Sequence, residues 1–116
     1  MNRRRAEQGG RRAESLAALW LRLKGWTILA RRLRTPVGEI DLVARRGRTL
    51  AFVEVKARAT GEAALLALDD YRLRRVVAAA EASAARFARP GDTLRIDAMF
   101  IVPGRLPRHM PNVWHG

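Results

Sequence analysis

Cysteine is absent from this 116-residue chain, which excludes disulfides, thiolate metal centres and cysteine nucleophiles. Its absence does not fix the compartment. Long apolar runs are missing too. No stretch approaches the roughly 20 residues of a membrane-spanning helix, and the N-terminal MNRRRAEQGGRR carries charge with no apolar segment behind it. Aromatic residues make up only 6% of the chain, and no helical pattern pairs a basic face with a broad aromatic one, which argues against a membrane-surface role. A cytoplasmic protein without a membrane partner is the expectation. Lysine is scarce as well: of 23 basic residues only Lys24 and Lys56 are lysine, and the rest are arginine.

What is present points to one small domain with a modest core. Eleven acidic residues against 23 basic ones leave a net charge of +12. A field of that sign concentrates polyanions around the protein, and nucleic acid is the leading partner. The rival reading is an arginine- and alanine-rich composition with no such role.

The first dozen residues, with Arg3 to Arg5, Arg11 and Arg12 around Gly9-Gly10, read as a flexible basic arm. From Ala13 the pattern becomes helical, with Leu16, Leu19, Trp20 and Leu23 at helical spacing and Gly25 as the stop. Glu14 falls in the first turn, where a carboxylate suits the helix dipole. Residues 26–34, 39–45 and 49–57 read as three strands, with TPVG as the first turn. Residues 61–68 have no clear pattern. A second helix is expected from Asp69, its N-cap, to Phe87, and a fourth strand over 93–102. The tail from about residue 103 is expected to be irregular. Domain and tail together occupy 13–116, with no internal repeat.

The second and third strands are joined by Arg45-Arg46-Gly47-Arg48, short enough for a hairpin. With Gly47 and Arg48 at the turn centre, Asp41 lies opposite Glu54 and Glu39 opposite Lys56. Ile40, Leu42, Ala44, Ala51, Val53 and Val55 then share an apolar face, and Glu39, Asp41, Glu54 and Lys56 share the other. Two facing carboxylates repel. Lys56, a bound cation or a raised pKa would offset the repulsion. A hard divalent ion takes oxygen ligands of this kind and keeps several waters. A lysine beside it can hold or deprotonate a water, which arginine is too weakly acidic to do. The hairpin alone leaves two readings open: an active site, or a solvated face with an ordinary Glu39–Lys56 pair.

The stretch GEIDLVARRGRTLAFVEVKAR, residues 38–58, resembles the signature of the YraN family, a bacterial family of predicted endonucleases distantly related to archaeal Holliday junction resolvases. The likeness extends to Gly10–Glu14, to GWTILARRLR at 25–34, to RIDAMFI at 95–101 and to HMPNVW at 109–114. It implies an α/β fold with a restriction-endonuclease-like, PD-(D/E)XK core in the order αβββαβ, a mixed sheet flanked by helices. In that pattern Asp41 matches the aspartate of the second strand, and Glu54-Val55-Lys56 matches the third-strand motif. Glu14 matches the first-helix carboxylate that often joins the metal site. The family's usual lysine near the start of the second helix is replaced by Arg72, which keeps a phosphate contact without proton transfer.

The resemblance implies hydrolysis of phosphodiester bonds in branched or structured DNA, with Mg²⁺ or Mn²⁺ as cofactor. Asp41, Glu54 and the Val55 carbonyl would hold the ion, with Glu14 or Glu39 reaching it through water. Lys56 would activate the attacking water. Arg72, Arg74, Arg75, Arg11 and Arg12 would hold phosphates without reading sequence. A non-catalytic nucleic-acid-binding protein on the same fold is the alternative. A homodimer stays open as a partner, with no interface marked in the sequence. His109 and His115 lack a metal-ligand spacing, Trp20 and Trp26 read as core, and Trp114 reads as an anchor for the tail.

Overall fold

The first helix stops where the glycine places it. In the structure, a computed structural model describing residues 3–114 with side chains from residue 10, α1 spans Arg3–Leu23. Gly25 has φ +90°; its N–H reaches the Arg22 carbonyl at 3.1 Å, and Trp26 N–H reaches that of Leu21 at 3.0 Å. Together these form a Schellman cap. The start differs from expectation. Helix runs back through Gly9-Gly10, at a cost of roughly 1 kcal/mol per glycine, because the surrounding Arg, Glu, Gln and Ala residues are good helix formers.

Three strands follow: β1 (Thr27–Thr35), β2 (Gly38–Arg46) and β3 (Thr49–Ala57). The stretch without a pattern holds a short helix, α2 (Gly61–Leu66), capped by Thr60. Helix α3 (Asp70–Ser83) starts at the expected N-cap, with Asp69 accepting from Arg72 N–H at 2.9 Å, and ends in a 3₁₀ turn over Ala84–Arg86. Strand β4 (Thr93–Ile101) comes next, and the tail contains a three-residue strand, β5 (Arg108–Met110).

The five strands form one mixed sheet in the order β1-β2-β3-β4-β5, in which only β3 and β4 run parallel. A parallel pair needs a crossover, and α2 and α3 provide it. Helix α1 covers one face, packing Ala17, Ala18 and Leu21 on Leu42, Ala44, Ala51, Val53 and Met99. Helix α3 covers the other, where Ala79 and Ala80 meet Leu33, Ile40, Val43, Leu50 and Phe52. This is an α/β fold with a five-stranded mixed sheet flanked by helices.

The buried face of α1 is the alanine face. Leu16, Leu19 and Leu23 are 48%, 52% and 71% exposed, whereas Ala13, Ala17 and Ala18 are buried. Small side chains let the helix approach a sheet face already filled by leucine, valine, methionine and Trp26. Trp26 is core as expected, and Trp20 packs half-buried at its edge.

The tail is tied down by one carboxylate. Asp97 on β4 is fully buried and accepts from Arg95 Nε at 2.9 Å and Nη2 at 2.8 Å, from Asn112 N–H at 2.9 Å, and pairs with His109 Nε2 at 2.7 Å. His109 also meets Trp26 edge-on, with ring centroids 5.9 Å apart. Val113 N–H adds a bond to the Ile96 carbonyl at 2.8 Å. Burial opposes ionisation of Asp97, but the bonds from His109, Arg95 and Asn112 prevail and lower its pKa to about 2. His115 lies outside the described residues.

Candidate active site

The hairpin pairs in the expected register, from Arg46↔Thr49 to Leu42↔Val53. There the ladder ends. In place of a further rung, the Asp41 carboxylate reaches across, and its Oδ2 accepts the Val55 N–H at 2.7 Å. Asp41 therefore bridges the point where β2 and β3 part.

A second irregularity lies on the neighbouring strand. Pairs Arg31↔Leu42 and Leu33↔Ile40 bracket Arg32 and Asp41, and Arg32 has φ +50°. A non-glycine residue in the left-handed region costs on the order of 1–3 kcal/mol and persists only where its surroundings impose it. At this level of the sheet the side-chain alternation changes phase. Ile40 packs with the α3-side cluster, whereas Leu42, two residues on, packs with the α1-side cluster. The expectation that Ile40 shares a face with Leu42 and Ala44 is overturned, because a regular strand has no such fault.

Glu54 and Lys56 project on the α3 side, where Lys56 Nζ lies 2.7 Å from Glu54 Oε1 and both side chains are largely shielded. They line a polar cleft of about 300 Å³ together with Gly38, Glu39, Arg72, Arg75 and Val76. Glu39 is exposed, with Arg34 Nε 3.9 Å away. Arg72 and Arg75, one turn apart on α3, form the facing wall. Arg74 is exposed on the same helix but does not line the cleft. Arg11 and Arg12 are exposed on α1, so the structure brings Arg72 and Arg75 to the carboxylates and leaves the other three arginines elsewhere.

Asp41 carries the electrostatic load. Burial, then the charge of Glu54, raises its pKa from 3.8 to about 7; the Val55 N–H and Lys56 pull it down, and Glu14 adds a smaller upward push. Two of the three compensations that the facing carboxylates require are therefore present: an ion pair on Glu54 and a raised pKa on Asp41.

Glu14 is buried on α1 with both oxygens engaged. Oε1 accepts from Arg31 Nε at 3.2 Å and Oε2 from Arg32 Nε at 2.8 Å. Arg31 Nη2 also donates to Ser15 Oγ at 2.8 Å. No strand pattern places Arg31 and Arg32 together in this neighbourhood, since consecutive strand residues normally face opposite ways.

Among the described residues, no three carboxylate or histidine side chains are grouped as a metal cage. Asp41 and Glu54 form a pair, each with one oxygen in a protein hydrogen bond or ion pair and one left over. That donor set suits Mg²⁺ or Mn²⁺, which complete their shells with carbonyl oxygen and water.

The molecule is thus an α/β protein with a carboxylate–lysine cleft at the open end of a hairpin, walled by arginine. The chain belongs to the uncharacterised protein family UPF0102, the YraN family, whose pattern matches residues 13–101. It is 63% identical over 114 residues to the UPF0102 protein of Sphingopyxis alaskensis, covering 98% of each chain. It is 56% identical over 114 residues to that of Erythrobacter litoralis, again covering 98% of each. The UPF0102 protein of Rhizorhabdus wittichii is 56% identical over 117 residues, covering 100% of this chain and 99% of its own.

Proposed function

We propose that this protein is a metal-dependent endonuclease on a PD-(D/E)XK core, hydrolysing phosphodiester bonds in branched or structured DNA. The observation that carries the reading is the meeting of Asp41, Glu54 and Lys56 where β2 and β3 part, at a cleft whose facing wall is Arg72 and Arg75.

Asp41, Glu54 and the Val55 carbonyl would hold Mg²⁺ or Mn²⁺, with Glu39 at the cleft as an outer carboxylate. When bound, the ion supplies Lewis-acid stabilisation of charge on the phosphate and on the leaving 3′ oxygen. Lys56 orients the attacking water and leaves its ion pair with Glu54 to do so. Water adds to phosphorus as the bond to the 3′ oxygen breaks. Arg72 and Arg75 hold the strand by its phosphates, a contact that carries no sequence information. Branched DNA as substrate rests on the family resemblance alone.

The +12 charge equally suits a binding protein that performs no chemistry. A labelled panel of linear, nicked, flapped and four-way DNA separates the two. The nuclease reading expects cleavage with Mg²⁺ or Mn²⁺ that disappears in Asp41→Ala while binding persists. Equal, salt-sensitive binding by both proteins with no product from any substrate favours the binding reading.

A further inference from the structure

Arg31 and Arg32 are adjacent in a strand, yet both bind one carboxylate on α1. Regular strand geometry sends consecutive side chains to opposite faces. The left-handed backbone of Arg32 is the local departure that lets the second arginine reach the side of the first. Glu14 then engages each guanidinium through Nε, and the Nη nitrogens of Arg32 make no hydrogen bond among the described residues. Both arginine side chains stay accessible, at 40% and 37% exposure, above a carboxylate that is only 7% exposed. A buried acid that holds two accessible cations, each through its Nε, is an arrangement preorganised for an anion. Its place in the fold is informative. Arg32 lies at the register position across from Asp41, on the α1 side, whereas Arg72 and Arg75 stand on the α3 side.

We propose that Arg31 and Arg32, oriented by Glu14, form a phosphate clamp that grips the nucleic-acid backbone next to the bond being cut. The proposal rests on the nuclease reading for its ligand. It makes Glu14 a positioning residue for arginine, not a metal ligand. The strained turn at Arg32 is what brings the two guanidinium groups to one side, so that a backbone phosphate can bridge them. A strand held at Arg31 and Arg32 on one side and at Arg72 and Arg75 on the other passes over Asp41 between them.

The test is binding of a labelled DNA duplex by fluorescence anisotropy in EDTA, across a salt series, for wild type, Arg31→Ala, Arg32→Ala, Arg32→Gly and Glu14→Gln. Thermal melts confirm folding, and Arg32→Gly removes the guanidinium while relieving the backbone strain. The clamp predicts roughly tenfold weaker binding at low salt for each arginine variant. The slope of log affinity against log salt should fall by about 0.9 per arginine removed. Glu14→Gln gives the decisive sign. Removing a negative charge from a basic protein should tighten non-specific DNA binding, so weaker binding shows that Glu14 acts by orienting the arginines. Unchanged affinity in the arginine variants, or tighter binding by Glu14→Gln, overturns the clamp. Wild type that binds and cuts while these variants match it overturns the clamp alone. Wild type that binds through the arginines but cuts nothing in Mg²⁺ overturns the nuclease reading and with it the clamp's place beside a scissile bond, leaving Arg31 and Arg32 as a phosphate contact only.

Discussion

Asp41 concentrates the cost of the site in a single residue. It is a partly buried carboxylate beside Glu54, and its pKa is raised from 3.8 to about 7. A carboxyl with a raised folded pKa contributes stability that is full below its unfolded value and lost as pH rises through the folded one. In EDTA, Asp41→Asn should therefore melt higher than wild type at pH 8, and the two curves should converge as pH falls towards 4. The asparagine keeps an oxygen for the Val55 N–H. An Asp41→Asn protein that melts below wild type at pH 8 would show that the carboxylate is stabilising, against this account. The composition marked Lys56 for attention, and the structure places its ammonium against Glu54. Asp41 could be read as a partner of Glu54, but its bond to Val55 N–H could not, since that bond exists only because the ladder stops.

At the scale of elements, the hairpin register was legible because a short turn leaves few alternatives. The pairs from Leu42↔Val53 to Arg46↔Thr49 bear it out. The caps at Gly25 and Asp69 were legible for the same local reason. Three things were not. Leucine spacing pointed to the wrong face of α1, because a tightly packed helix buries its alanines. β5 has only three residues and is held by Asp97, a contact distant in sequence. The fault at Arg32 depends on the helix behind it, which no strand pattern encodes.

The Asp97 anchor yields its own prediction. Asp97→Asn breaks a buried ionic network and should cost about 3–5 kcal/mol in denaturant unfolding. In wild type the same group sets a limit in acid. Its folded pKa of about 2 lies below the ordinary 3.8, as does that of Asp92, which is held by Arg45. Stability from these groups is full above about pH 4 and is lost as pH falls towards 2. A melting temperature that stays flat between pH 4 and 2 would contradict this assignment.

The whole molecule carries a net charge of +12, large enough to concentrate polyanions around it, on a frame whose carboxylate–lysine cluster occupies one end of one hairpin. Among the described residues no helix is long and apolar enough to cross a membrane. Under the proposed nuclease reading the charge and the cleft would divide the work between them, arginine governing capture and Asp41, Glu54 and Lys56 governing hydrolysis. Arg72→Ala with Arg75→Ala should therefore raise KM more than it lowers kcat, and raised salt should mimic it in part. A loss confined to kcat would place these arginines in the chemical step instead.

The most direct test of the central claim is the single-turnover rate of DNA cleavage in saturating Mg²⁺ for wild type, Lys56→Ala and Lys56→Arg, each with its DNA affinity measured. A water-activating Lys56 predicts cleavage by wild type and a loss of at least roughly a hundredfold in both variants, with affinity kept in Lys56→Arg. Cleavage by Lys56→Arg at the wild-type rate would show that position 56 needs only a positive charge, and would contradict its role in activating water.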